Sequence, residues 1–319
     1  AQDNVVTIDG TVGGYSQGTD NHVPIYNNYE YAVTQFYYTV DEIAKAGGTI
    51  ESIAFKTSND ANYPYTRTFD IYMVNTENYN FGVGGKTMEQ VSADDKVFTG
   101  SVEFTQDAWI TIDINDFEYT GGNVLVCIND YTGTYISGGS YFSCYESTFD
   151  LPYQGDFGIA RRATYIRNSN NAYDPTAQAY VAYASQKFVP FIELTFAAGS
   201  TEEFIEPAAP ANVAATALNE SQIQLTWDAL AENVQSYNVY QGTELVRSGL
   251  TETTCIFKNL SVGEYCYTVE AVNGPHKTAA EPVCITLRAK SVESITVGTF
   301  GDVDATAVPF GTQVNDSWA

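Results

Sequence analysis

In Trp109-Ile110-Thr111-Ile112-Asp113-Ile114, the three isoleucines alternate with Thr and Asp. Successive side chains of an extended chain point to opposite faces, so this spacing makes one apolar and one polar face. Ile50-Glu51-Ser52-Ile53-Ala54-Phe55, Thr68-Phe69-Asp70-Ile71-Tyr72-Met73-Val74 and residues 123–128 repeat the habit. Such runs, separated by Gly, Asn and Asp, continue from Val5 to about Phe196. Tyr (24) and Phe (17) far outnumber Met (2), a bias toward strands. Eight or nine strands with long loops predict an all-β, jelly-roll-like β-sandwich over residues 1–198. One short helix is expected at Asp41-Glu42-Ile43-Ala44-Lys45-Ala46, stopped by Gly47-Gly48.

One segment is written twice. Val6-Thr7-Ile8-Asp9-Gly10-Thr11, a polar loop and Val23-Pro24-Ile25 recur as Ile295-Thr296-Val297-Gly298-Thr299, a loop with Asp302 and Asp304, and Val308-Pro309-Phe310. The shared order predicts that residues 289–319 open a second jelly-roll repeat, as in a modular array, and that the chain is a piece of something longer. Those strands lack sheet partners of their own. They are expected to pack on the preceding domain, or to pair residues 291–319 with another domain or copy.

Between the repeats lies a second unit. Gly199-Ser200-Thr201-Glu202-Glu203 and Pro207-Ala208-Ala209-Pro210 mark a linker at 199–206 before a domain at 207–288. There Ile223, Leu225 and Trp227 alternate, Tyr237-Asn238-Val239-Tyr240 follows, and Leu260 precedes Tyr265, Tyr267, Val269 and Ala271. This stretch resembles a fibronectin type III domain, with Leu260 and Tyr265 matching the tyrosine corner of such sandwiches. Ile8 to Gln35, Gly48 to Phe55, Phe69 to Met73 and Asn123 to Gly133 resemble a Bacteroidetes surface module of jelly-roll type. Such modules occur in secreted multidomain adhesins, including gingipain haemagglutinin-like regions, and beside catalytic domains. The resemblance implies a non-catalytic adhesion or binding module, secreted or on the cell surface. Its alternatives are a substrate-targeting region of a larger secreted hydrolase and a structural stalk or filament subunit.

The cysteines bear on compartment. Cys266 lies between the inward-facing Tyr265 and Tyr267, and Cys284 between Val283 and Ile285, so both face outward. In a hairpin turning about Pro275 they stand opposite each other, which predicts a disulfide and an oxidising environment. Cys255 reads as a small buried hydrophobe. Cys127 and Cys144 suit either a second bridge or two core thiols.

Net charge narrows the partners. With 39 acidic and 14 basic residues, the formal charge of −25 repels nucleic acid and anionic membranes. No apolar run approaches a membrane span, and the start at Ala1-Gln2-Asp3 suits a mature product after removal of a signal peptide, although a cut made elsewhere in a longer chain would look the same. Gly14-Tyr15-Ser16-Gln17-Gly18 has the G-x-S-x-G pattern of a nucleophile elbow, but no helix-forming run follows it and only His22 and His276 could act as base. A structural turn is the expectation there, and no enzyme activity is predicted. Calcium is the metal these loops suit, first at Asn129 and Asp130, where oxygen ligands gather as a strand turns. Asp94-Asp95 and Asn170-Asn171 with Asp174 are further acidic turns, although Asx residues also cap turns by themselves. For a glycan or protein ligand, Tyr63, Tyr65, Tyr131 and Tyr135 are the candidate contacts, with Tyr141 and Tyr153 beside them.

Overall fold

The computed structural model describes residues 4–12, 14–82, 87–150 and 159–289. The expected second repeat at 289–319 therefore lies, beyond its first residue, outside the described residues, as does Tyr153. The first domain begins with β1 (Val5–Ile8), β2 (Gln17–Asp20), β3 (Tyr31–Tyr38), α1 (Val40–Ile43), β4 (Gly48–Lys56) and β5 (Tyr65–Thr76). It continues through β6 (Lys96–Phe104), β7 (Trp109–Tyr119), β8 (Asn123–Asp130), β9 (Phe142–Glu146) and β10 (Thr148–Asp150). Then come β11 (Ile159–Arg161), β12 (Ala163–Asn168), β13 (Ala184–Gln186), β14 (Phe188–Pro190) and β15 (Ile192–Phe196). The surplus over eight or nine strands consists of pieces three to five residues long.

Two antiparallel sheets carry the sandwich, ordered β1-β15-β4-β7 and β13-β12-β3-β8-β5-β6, with a smaller β14-β9-β2 sheet beside them. The alternation of the sequence becomes the core. Ile50, Ile53, Phe55, Ile112, Leu194 and Phe196 from one sheet meet Phe36, Phe69, Ile71, Met73, Val126 and Ile128 from the other. Each such side chain removed from water contributes roughly 1.5–3 kcal/mol. The opposite face of the larger sheet is not solvated, as simple alternation would have it. Val33, Tyr37, Tyr72, Leu125 and Cys127 are covered by Met88, Val91 and Ala182 from long loops. A strand buried on both faces reads as a continuous apolar run, and Val124-Leu125-Val126-Cys127-Ile128 is one.

The helix is shorter than expected. It ends after Ile43, with Ala44 rather than a glycine in the left-handed cap (φ 53°). Gly48 serves elsewhere: a Cβ there would lie 2.9 Å from the Phe196 ring. Helix α1 is held by Glu42, whose carboxylate accepts from the Thr39 N–H and hydroxyl (2.9 and 3.0 Å) and pairs with the fully buried Arg162.

The second domain contains β16 (Ala214–Asn219), β17 (Gln222–Thr226), β18 (Ser236–Gln241), β19 (Glu244–Leu250), β20 (Thr254–Phe257), β21 (Gly263–Asn273), β22 (His276–Ala279) and β23 (Val283–Leu287). A β16-β17-β20 sheet packs on β19-β18-β21, and both β22 and β23 pair with β21. This is the strand order of a fibronectin type III sandwich. Ile223, Leu225, Trp227, Val239, Tyr267 and Val269 fill it, and the Tyr265 hydroxyl donates to the Ser261 carbonyl (2.9 Å), closing the tyrosine corner. Cys266 stands opposite Cys284 in the ladder and the two are bonded, with Cα atoms 4.0 Å apart. The hairpin does not keep one register. Glu270 pairs with Ala279, but Tyr267 pairs with Val283, so one extra residue enters between β22 and β23. Cys127 and Cys144 are free, buried thiols on β8 and β9, and burial pushes the Cys127 pKa up to about 12. They settle as core residues, and Cys255 packs half-buried against the second core.

The linker is a docked strap. Glu202 bridges to Gly47, Glu203 pairs with Lys45, and the Asn273 side chain donates to the Ile205 carbonyl (2.8 Å). Phe204 is buried against Gly274, where a Cβ would come within 2.5 Å of the ring. Two adjoining clefts of 680 and 570 Å³ run along the seam. Replacing Phe204 with alanine is expected to free the domains. Small-angle scattering should then report a larger radius of gyration, and proteases should cut within 199–206 faster. An unchanged scattering curve would show that the strap does not hold the domains together.

Candidate functional site

Loop 21–30 leaves β2 and returns into β3, crossing the end of β12, the neighbour of β3 in the sheet. Val23 and Ile25 are wholly buried and pin the loop to the core, while the Thr34 hydroxyl donates to the Pro24 carbonyl. The first copy of the repeated segment is thus an anchor, and what it anchors is aromatic. Tyr26 lies 5.3 Å from Tyr29 and 5.0 Å from Tyr165, ring to ring. Tyr165 and Arg167 are two apart on β12, hence on one face. Tyr183, just before β13, donates its N–H to the Tyr165 carbonyl (2.8 Å).

Arg167 is the centre of this surface. Its guanidinium carbon is 4.0 Å from the ring centroids of both Tyr29 and Tyr183, close enough for cation–π contact with each. His22 adds a further ring, 4.7 Å from Tyr26 and 4.9 Å from Tyr165. Its Nδ1 is 3.0 Å from an oxygen of the buried Asp20. Tyr183 is 61% exposed, so the cluster opens to solvent at its rim.

Burial, with Tyr26 next in effect, pushes the Tyr165 pKa up to about 12. Burial also raises Tyr26, against the opposing pull of Arg167. The rings therefore stay neutral at physiological pH, and their hydroxyls remain donors. For Arg167 burial opposes the charge, but Tyr29, Tyr183 and Tyr26 outweigh it and its pKa rises. The buried Nε has no hydrogen-bond partner.

Beneath the platform sits a buried ion pair. Arg67 and Asp130 are each 1% exposed in their side chains. Arg67 Nε donates to Asp130 (2.7 Å), and its other nitrogens donate to the carbonyls of Thr134 (2.6 Å) and Tyr29 (3.0 Å). Asp130 also accepts from the Thr132 N–H and hydroxyl (3.0 and 2.6 Å). The carboxylate expected to face calcium is thus an internal anchor that fixes the backbone under Tyr29. Asn129 is buried beside it and donates to the Tyr173 carbonyl (3.2 Å). Asp95 and Asp174 cap their own turns, on Ser92 and Thr176. Among the described residues no three His, Cys, Asp or Glu side chains are grouped to hold a metal.

The tyrosines singled out from sequence go elsewhere. Tyr63 and Tyr65 stack on each other (5.1 Å), and Tyr65 on Phe104 (5.4 Å). The Tyr65 hydroxyl accepts from Asn27 and Ser140 (2.9 and 2.7 Å), and the Tyr63 hydroxyl donates to the Tyr141 carbonyl (2.6 Å). Tyr131 donates to Asp70 (3.2 Å). These three hydroxyls serve the fold, whereas Tyr135 is 60% exposed. The G-x-S-x-G segment leads into strand β2 rather than a helix, with Ser16 exposed on the approach. Sequence reading missed Tyr29, Tyr165, Arg167 and Tyr183. The one local signal was Tyr165-Ile166-Arg167, which puts an aromatic and a cation on the same strand face.

No family model matches the chain. Over 106 residues, 32% of its length, it is 30% identical to chitinase A1 of Niallia circulans, and it spans 14% of that protein. Solved structures that resemble it include FN3tt, at 18% identity, covering 26% of this chain and 95% of that one with a TM-score of 0.24. The fibronectin type III domain of human fibronectin type III domain containing protein 3 matches at 22% identity, covering 28% and 94%, TM-score 0.24. The chicken CNTN1 FN1–FN3 domains match at 10% identity over 74% and 66%, TM-score 0.26.

Proposed function

We propose that this chain is a non-catalytic binding module of a secreted or surface-attached bacterial protein, and that it holds an extracellular glycan or protein ligand at the His22–Tyr26–Tyr29–Tyr165–Arg167–Tyr183 platform. The observation that carries this is the platform itself. Three distant segments gather here: the exposed Tyr183 and the half-buried His22, Tyr29 and Arg167 lie over the buried Tyr26 and Tyr165, with a buried ion pair fixing the backbone below. Tyr offers contact area at little entropic cost, and rigid support keeps that cost low. The fibronectin type III unit and docked strap then act as a stiff spacer, and the disulfide suits an oxidising compartment.

A second reading has its own support. Identity to a chitinase over 106 residues favours an accessory, substrate-targeting region of a larger hydrolase, with the same platform as the targeting surface. Tyr183→Ala is the direct test of both. It should weaken binding on glycan and protein arrays about tenfold or more while leaving the melting temperature within a few degrees. Retained binding would remove the platform from the function. Release of new reducing ends from any bound polysaccharide would overturn the non-catalytic assignment.

A further inference from the structure

Arg167 is a half-buried arginine set among aromatic rings. Arg67 and Arg162 each meet a carboxylate, Asp130 and Glu42. Six ion pairs of Lys or Arg form among the described residues, and neither Arg167 nor the half-buried Arg161 is in any of them. In a chain with 39 acidic and 14 basic residues, carboxylates are abundant. Here a guanidinium is held rigidly and left without one. Tyr29 and Tyr183 each lie 4.0 Å from its guanidinium carbon, and its Nε is buried, so the terminal nitrogens are the part of the group left for a ligand. In-plane approach to them is the geometry of bidentate carboxylate recognition.

We propose that Arg167 is the seat for the carboxylate of an acidic sugar, a hexuronic-acid residue of a glycan, whose ring lies against the exposed Tyr183. This rests on the platform being a binding site and names the ligand class it takes. A sugar is favoured over an acidic peptide by what surrounds the arginine. Tyr183 gives an open aromatic face at the rim, whereas β13, the adjoining sheet edge, offers only three residues for strand addition. The formal charge of −25 also sets a condition. Dense polyanions are repelled, and attraction must come from this one local cation.

The test is calorimetric titration of the 319-residue chain with tetragalacturonic acid, with the neutral maltotetraose and an Asp/Glu-rich octapeptide as comparison arms. Tetragalacturonic acid should bind best of the three arms. Arg167→Gln should reduce that affinity at least tenfold. Arg167→Lys, which keeps charge but loses the planar fork, should fall between, and matched melting curves should show both variants folded. Equal binding of both tetrasaccharides, lost in Tyr183→Ala but kept in Arg167→Gln, would overturn the acidic-sugar assignment and leave the platform standing. Preference for the octapeptide would also overturn it, in favour of a protein ligand. Binding of no arm, or binding insensitive to Tyr183→Ala and Arg167→Gln alike, would overturn the assignment, and insensitivity to Tyr183→Ala would take the platform with it.

Discussion

Replacing Glu42 with alanine should destabilise the first domain by about 3–5 kcal/mol, because it leaves Arg162 charged, buried and unpaired. Arg162 is wholly buried, and both its terminal nitrogens donate to Glu42, one at 2.9 Å. Its Nε is taken by the Ser147 hydroxyl (2.6 Å), and the Tyr145 hydroxyl donates to Glu42 (2.9 Å). Helix α1, β9 and the residue joining β11 to β12 thus meet at one charge pair. Swapping both partners for apolar residues, Glu42→Leu with Arg162→Met, should cost much less than Glu42→Ala alone, since no charge is stranded. Urea unfolding of the three proteins measures this. Equal costs for the single and double variants would contradict the account. The pair also has a pH signature. Burial raises the Glu42 pKa, but Arg162, Thr39 and Tyr145 outweigh it, and the carboxyl ends below its ordinary value of 4.5. A depressed folded pKa stabilises above the unfolded pKa, and that share is lost as pH falls through the folded value. The stability gap between the natural protein and Glu42→Gln should therefore narrow on acidification below about pH 4.5.

The second large effect belongs to the fibronectin type III domain. Removing the Cys266–Cys284 bond, as a paired Cys→Ser variant, should lower its stability by roughly 3 kcal/mol, the chain-entropy figure for closing a loop of this length. The bridge joins residues 18 apart on facing strands of one hairpin. Most of the loss should appear in the unfolded state, with little change in the folded spectrum. Denaturant midpoints that match under reducing and oxidising conditions would show that the bond contributes nothing.

Much of the architecture was legible in the residues because it follows from period-two burial. Ile223, Leu225 and Trp227, or Ile50, Ile53 and Phe55, declare their sheet faces without help from distant chain. The disulfide was legible for the same reason, since facing direction fixed both cysteines. The helix stop was misplaced because Ala44 takes a left-handed conformation that sequence assigns to glycine. Burial of the second face of the larger sheet was signalled by the apolar run 124–128, but nothing in Tyr37 or Leu125 says that residues 87–91 and 173–182 will cover them. The platform was hidden most completely. Tyr29, Arg167 and Tyr183 come together only through the β3–β12 and β12–β13 pairings, which no local pattern encodes. Asp130 was ambiguous for a related reason: nothing in an acidic turn tells that Arg67 will reach it.

Hydrogen exchange, with the strongest ligand from the glycan and protein arrays bound, tests the central claim most directly. The account predicts new protection in peptides spanning 21–31, 163–168 and 180–186, the three segments that build the platform. Protection confined to the Tyr135 and Tyr141 loop, or to the seam between the domains, with these three segments unchanged, would contradict it.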